Sequence, residues 1–133
     1  MTIAITQQLK GYVHTPWGAA DYAETRGEGI TFYGTPSHGG YKVSAELVAT
    51  MKPEVTACVD KGGWFEEDMD WAFVALSFPD RFAPEEIANA RRVLSCSLSM
   101  FRGGMPWRPD NGRAYIAALR AACASLGIEE ARS

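Results

Sequence analysis

The chain of 133 residues is 47% hydrophobic with a net charge of −3, which supplies apolar material for one compact core without disulfides or metal. A net negative charge gives no global attraction to nucleic acid or to an anionic membrane, and no apolar run approaches the roughly 18 residues of a membrane span. Cys58, Cys96 and Cys123 lie far apart with no C-x-x-C or Cys/His cluster, so they read as reduced thiols rather than a disulfide framework or a metal site.

Residues 2–10 place Ile5 and Leu9 at helical spacing, which favours a short helix over the strand that Thr2, Ile3 and Thr6 also suit. Tyr12–Thr15 is extended up to Pro16, the chain turns at Gly18, and Trp17 is expected to plug one end of the core. Ala20–Arg26 and Gly29–Thr35 predict two strands joined across Arg26-Gly27-Glu28-Gly29. Ile30, Phe32 and Gly34 alternate with Thr31, Tyr33 and Thr35, giving one core face and one polar face. After a turn at Thr35–Gly40, Tyr41–Val43 returns as a third antiparallel strand. Ser44 suits the N-cap of a short helix over Ala45–Met51, and Pro53 ends it. Glu54–Val59 fits either a helical turn or an edge strand, and Asp60-Lys61-Gly62-Gly63 breaks the chain.

Glu66-Glu67-Asp68 predicts the opening turn of a helix running to about Phe78, with Met69, Ala72, Phe73 and Leu76 as its buried face. Pro84 followed by two glutamates starts a longer helix with the stripe Ile87, Ala90, Leu94, Leu98 and Phe101, closed by Gly103-Gly104. Asp110 or Asn111 caps a last helix with the stripe Tyr115, Ile116, Leu119, Ala122, Cys123 and Leu126. A mobile tail is expected after Ile128. The whole reads as a single α+β domain over residues 1–133, with a small antiparallel sheet of about three strands and about four helices.

Charge is segregated along this order. Residues 1–52 hold four basic and four acidic side chains, 53–86 two and nine, and 87–133 seven and three. The acidic middle carries Glu66, Glu67, Asp68 and Asp70 beside Trp64 and Trp71. Aromatic anchors among carboxylates suit docking on an arginine- and lysine-rich partner, so these six residues are the expected partner-binding set. Their spacing matches neither an EF-hand nor a zincin, and neither metal nor cofactor is expected.

His38, within Pro36-Ser37-His38-Gly39-Gly40, is the catalytic candidate, since imidazole transfers protons near neutral pH and glycines let backbone approach a ligand. A hydrolase or transferase reading needs His38 in a pocket with a carboxylate, and the G-x-S-x-G elbow that would accompany an esterase-type loop is absent. In the C-terminal part, Arg91, Arg92, Arg102 and Arg108, with Arg113 and Arg120, surround Trp107, a pattern that suits single-stranded nucleic acid. No nucleic-acid module signature accompanies it, so direct binding to nucleic acid is not the expectation. The residues favour a binding protein over an enzyme.

Three segments together, His14-Thr15-Pro16-Trp17-Gly18, then Gly29-Ile30 with Gly34-Thr35-Pro36-Ser37-His38-Gly39-Gly40-Tyr41, then Gly62-Gly63-Trp64-Phe65-Glu66-Glu67-Asp68-Met69-Asp70-Trp71-Ala72, resemble the DUF7007 domain of bacterial plasmids and other mobile elements. The resemblance spans Val13 to Phe101 and leaves the C-terminal helix outside. Phe65 stands where the family has tyrosine, so no phenolic role is expected there. The resemblance implies no reaction. It implies a mobile-element setting, similar in kind to that of anti-CRISPR proteins, and hence an inhibitor in the bacterial cytoplasm that binds a basic surface of a CRISPR-Cas or other nucleoprotein defence complex.

Overall fold

A computed structural model describes residues 5–131, with side chains from Val13 onward. The turn at Pro16–Gly18 folds β1 (Ile5–Thr15) back on β2 (Gly18–Thr25), and the glycine turn after Arg26 returns the chain as β3 (Ile30–Gly34). The turn containing His38 adds β4 (Gly39–Val43), and the meander is complete. Two short helices, α1 (Ala45–Val48) and α2 (Pro53–Val59), then carry the chain to β5 (Trp64–Glu66), which pairs antiparallel with β4. The result is a curled five-stranded sheet in sequential order β1-β2-β3-β4-β5. The helices α3 (Asp70–Ser77), α4 (Pro84–Met100) and α5 (Arg113–Ser125) follow.

The α+β class holds, and the sheet exceeds the three strands read from sequence at both edges. The expected helix over 2–10 is instead a strand from Ile5 onward, because pairing of Ile5–Gln8 with Tyr22–Thr25 overrides the local Ile5/Leu9 spacing. Residues 2–4 of that helix lie outside the described residues. The second difference is at Trp64–Glu66, where Glu66, expected in the opening turn of a helix, instead joins Trp64 and Phe65 in pairing with β4, in the register Lys42↔Trp64, Tyr41↔Phe65 and Gly40↔Glu66. The segment left open in sequence, Glu54–Val59, is helical with Val55 and Val59 buried.

Alternation on β3 divides the sheet as its sequence predicts. Phe32, Tyr41 and Phe65 lie opposite one another across β3, β4 and β5 on the core face. They meet α3, whose Ala72, Phe73, Val74 and Ala75 are all fully buried. A one-sided stripe is therefore too narrow a description of α3: β5 and β4 pack on it from one side and α4 from another, and Met69 and Leu76 are only half-buried. Leu94 and Leu98 of α4 and Leu119, Ala122 and Cys123 of α5 close the core. The segment after α5 is fastened rather than free as far as Ala131: Ser95 Oγ donates to the Glu129 carbonyl, and the Ala131 amide donates to the Ser95 carbonyl.

Trp17 is half-buried and outside the core cluster, contrary to the expected plug. It lies on the outer face of the sheet, edge-on to Trp64 with ring centroids 5.7 Å apart, and Trp64 also meets Tyr33. Gly40 makes this possible. A Cβ there would come within 2.3 Å of the Trp17 ring and 2.5 Å of the Phe65 carbonyl oxygen. Gly40→Ala is therefore expected to destabilise the protein by about 1–3 kcal/mol through overpacking, read as a lower midpoint in urea with an unchanged slope.

Candidate functional site

The acidic segment is positioned by the junction of β5 and α3. The Glu66 carboxylate accepts hydrogen bonds from the amides of Asp68 and Met69 at 3.0 and 2.9 Å, satisfying donors that the start of α3 would otherwise leave bare. Glu66 is thus largely committed to its own backbone. Glu67 is half-buried and Asp68 is exposed. Asp70, expected on the surface, is only 4% exposed. It sits in the first turn of a helix enclosed on several sides, and so cannot supply surface charge. Burial, reinforced by Glu66, pushes the Asp70 carboxyl up to about 6 against a weaker opposing pull from Lys61.

The two tryptophans of the expected partner-binding set part company. Trp64 faces outward with Trp17 and Tyr33, with the Lys42 ammonium 5.1 Å from its ring centroid. Trp71 lies on the helical side, half-buried, in a cavity of about 350 Å³ with Phe32, Tyr41, Glu67, Glu85 and Glu86. Phe32 and Tyr41 meet edge-on at 5.2 Å and make a rigid aromatic floor. Glu86 is already held in a bidentate pair by Arg26, at 2.7 and 2.6 Å. Glu85 is exposed and has no ion-pair partner among the described residues. Neither glutamate was singled out in sequence, where both read as charges of a helix start. Only the approach of α4 to β3 and β4 shows that they share a cavity with Trp71.

A wider cleft, about 570 Å³, joins the acidic segment to the C-terminal part. Glu66, Asp68 and Asp70 line it together with Trp107 and Arg108, so residues from two alternative readings meet in one place. Trp107 is 71% exposed, and the Arg108 guanidinium lies 4.3 Å from the centroid of the Tyr115 ring, a stacked cation–π arrangement. Burial and the nearby Asp70 push the Cys58 thiol at this cleft up to about 11, which keeps it a neutral thiol rather than a nucleophilic thiolate at physiological pH. Among the described residues, no three His, Cys, Asp or Glu side chains are grouped to hold a metal ion.

The remaining candidates are spread out. Arg91 and Arg92 are exposed on α4, and Arg102, just past its end, forms an ion pair with Glu130 at 3.1 Å. His38 is 58% exposed, with Nδ1 4.0 Å from Glu67 Oε1. The backbone of His38 does the visible work: Thr35 Oγ1 accepts from its amide and donates to its carbonyl, closing the β3–β4 turn. The His38 side chain thus stands largely in solvent, beside one carboxylate. No helix among the described residues is long and apolar enough to cross a membrane.

Fold and clefts together define a small α+β domain that presents charged, partly aromatic cavities around the ends of α3. The chain belongs to the family described as a domain of unknown function, DUF7007, whose model matches residues 10–119. The match runs past Phe101 into α5, so the C-terminal helix, expected outside the family region, is partly inside it. No curated protein and no solved structure matches the chain.

Proposed function

We propose that this is a non-enzymatic binding protein that docks on a basic protein surface by taking an arginine or lysine side chain into the cavity floored by Phe32, Tyr41 and Trp71. The observation that carries this reading is the combination of three aromatic rings with Glu67 and Glu85 at one opening. Ring faces and carboxylates both attract a cation, and the attraction grows as water leaves the cavity. Glu86 is occupied by Arg26, so Glu67 and Glu85 supply the charge that a partner meets.

The narrower form of the proposal takes that surface to be the nucleic-acid-binding face of a bacterial defence complex of the CRISPR-Cas kind, which the protein would block. Its support is the mobile-element setting implied by the family motifs, together with the fit of an acidic cavity to a phosphate-binding face.

The test uses the paired charge reversal Glu67→Lys with Glu85→Lys, both away from the buried core. Titrated with an oligo-arginine peptide at low salt, the wild-type chain is expected to bind and the variant to lose affinity at least tenfold, while the thermal midpoint stays within a few degrees. Unchanged affinity in the variant rejects the cavity as the docking point. In bacteria carrying an active CRISPR-Cas system against a plasmid, the wild-type chain is expected to restore transformation and the variant to fail. Absence of restoration by the wild type removes the narrower form alone.

A further inference from the structure

Arg102, Arg113 and Arg120 all line one cleft of about 310 Å³, closed by Gly103, Gly104 and Asn111 and floored by Ile116 and Ala117. No carboxylate is part of that lining. Arg113, Ile116, Ala117 and Arg120 follow one another at three-, four- and seven-residue spacing, which puts them on a single face of α5. The two arginines stand two turns apart, about 10 Å along the axis, and Arg102 approaches from the end of α4. Neither Arg113 nor Arg120 has a carboxylate partner among the described residues, whereas Arg102 is paired with Glu130 at the rim.

We propose that this cleft is a phosphate-binding site, distinct from the acidic cavity and independent of its role. Three arginines line one cleft of a net negative protein, and an anion there would supply the counter-charge that Arg113 and Arg120 lack. Guanidinium is the group best shaped for phosphate, because its planar fork donates two parallel hydrogen bonds to two phosphoryl oxygens. Ile116 and Ala117 form the apolar part of the lining, and the Asn111 amide adds a neutral donor at its edge. The ligand class is therefore a phosphate group, supplied either by a small polyphosphate or by the backbone of a single strand of nucleic acid.

In sequence, six of the seven arginines of this part looked like one diffuse basic face. The fold sorts them. Arg91 and Arg92 do not line this cleft, and Arg108 stacks on Tyr115 at a different one. That separation supplies the control.

The experiment measures binding of triphosphate by calorimetry and of a fluorescent 12-nucleotide single-stranded DNA by anisotropy, at 50 mM salt. It compares the full chain with Arg113→Gln/Arg120→Gln and with Arg91→Gln/Arg92→Gln. The expected result is binding of at least one probe, weakened tenfold or more in the cleft variant and less than threefold in the α4 variant. If the DNA binds, its salt slope should fall by roughly 0.7 for each phosphate contact removed. Binding of triphosphate alone identifies a small-ligand site, and binding of DNA identifies a strand site. The proposal is overturned if neither probe binds, if the cleft variant binds as the wild type does, or if the α4 variant loses as much as the cleft variant. Both arginines of the cleft variant are exposed, so an unaltered thermal midpoint is expected to verify its fold.

Discussion

Asp70→Asn is expected to raise the thermal midpoint at pH 7.5, and the gain should vanish by about pH 3.5. The carboxyl is 4% exposed, and its closest cation, Lys61 Nζ, is 4.0 Å away on a side chain that is itself largely in solvent. That pairing is too loose to compensate for lost hydration, and burial holds the native carboxyl up to about 6. The native state therefore keeps its proton to a higher pH than the unfolded chain does. Between roughly pH 4 and 6 the folded protein binds more protons than the unfolded one, so stability falls as pH rises through that window. Above it, the buried charge costs about 2 kcal/mol, after allowance for screening by the open cleft. Asparagine keeps the shape and loses the charge. The expected increase is about 5–10 °C at pH 7.5 for a domain of this size, measured by calorimetry across the pH range. A midpoint that stays the same or drops at pH 7.5 would show that Lys61 and the Glu66 backbone stabilise the carboxylate fully.

Arg26→Met should have the opposite sign and a comparable size. The Arg26 side chain is 11% exposed, its fork meets both oxygens of Glu86 at 2.7 and 2.6 Å, and its guanidinium carbon lies 4.7 Å from the centroid of the Phe82 ring. Glu86 Oε1 also accepts the Ala83 amide at the start of α4. The pair thus ties the β2–β3 turn to α4, with Arg81 adding hydrogen bonds to the carbonyls of Arg26 and Glu28. Removing the arginine strands a carboxylate that is still one-third exposed, a loss of about 2–3 kcal/mol. Burial acts to raise the Glu86 pKa, yet the hydrogen bonds from Arg26 and Ala83 bring it below the ordinary carboxylate value. Its contribution is therefore complete above the unfolded carboxylate range and is lost as pH falls through the lower native value. Chemical denaturation at pH 7 and pH 3 should show a large difference between wild type and variant at the first and a smaller one at the second. An equal difference at both would assign the loss to packing on Phe82 alone.

These two residues also mark the limit of what the sequence discloses. Elements with local causes were legible: the β2–β3 turn through its glycines, α4 through Pro84 and its stripe, and α5 through Tyr115, Leu119 and Cys123. Elements decided by distant partners were not. Ile5–Lys10 is a strand because β2 lies beside it, and Trp64–Glu66 is one because β4 offers a free edge. Arg26 and Glu86 are 60 residues apart. The candidate site was legible in type and not in arrangement. An acidic, tryptophan-bearing segment was visible, but its pattern could not show that Trp64 and Trp71 face different sides, that Asp70 turns inward, or that Glu85 reaches the Trp71 cavity. Charge separated along the chain is likewise recombined in space, as the shared cleft of Asp68, Asp70 and Arg108 shows.

The sheet is open, with β1 and β5 as its two rims. An unpaired rim is a template on which another polypeptide can grow a further strand, the first step towards fibrillar assembly. Here β5 is three residues long and leads directly into the turn before α3, so it offers too short a ladder to nucleate one. β1 is eleven residues long, but its register with β2 shifts between Gln8 and Val13. That irregularity divides the pairing of β1 into two short runs, Ile5–Gln8 and Val13–Thr15, and an interrupted strand is a poorer template than a regular one of the same length.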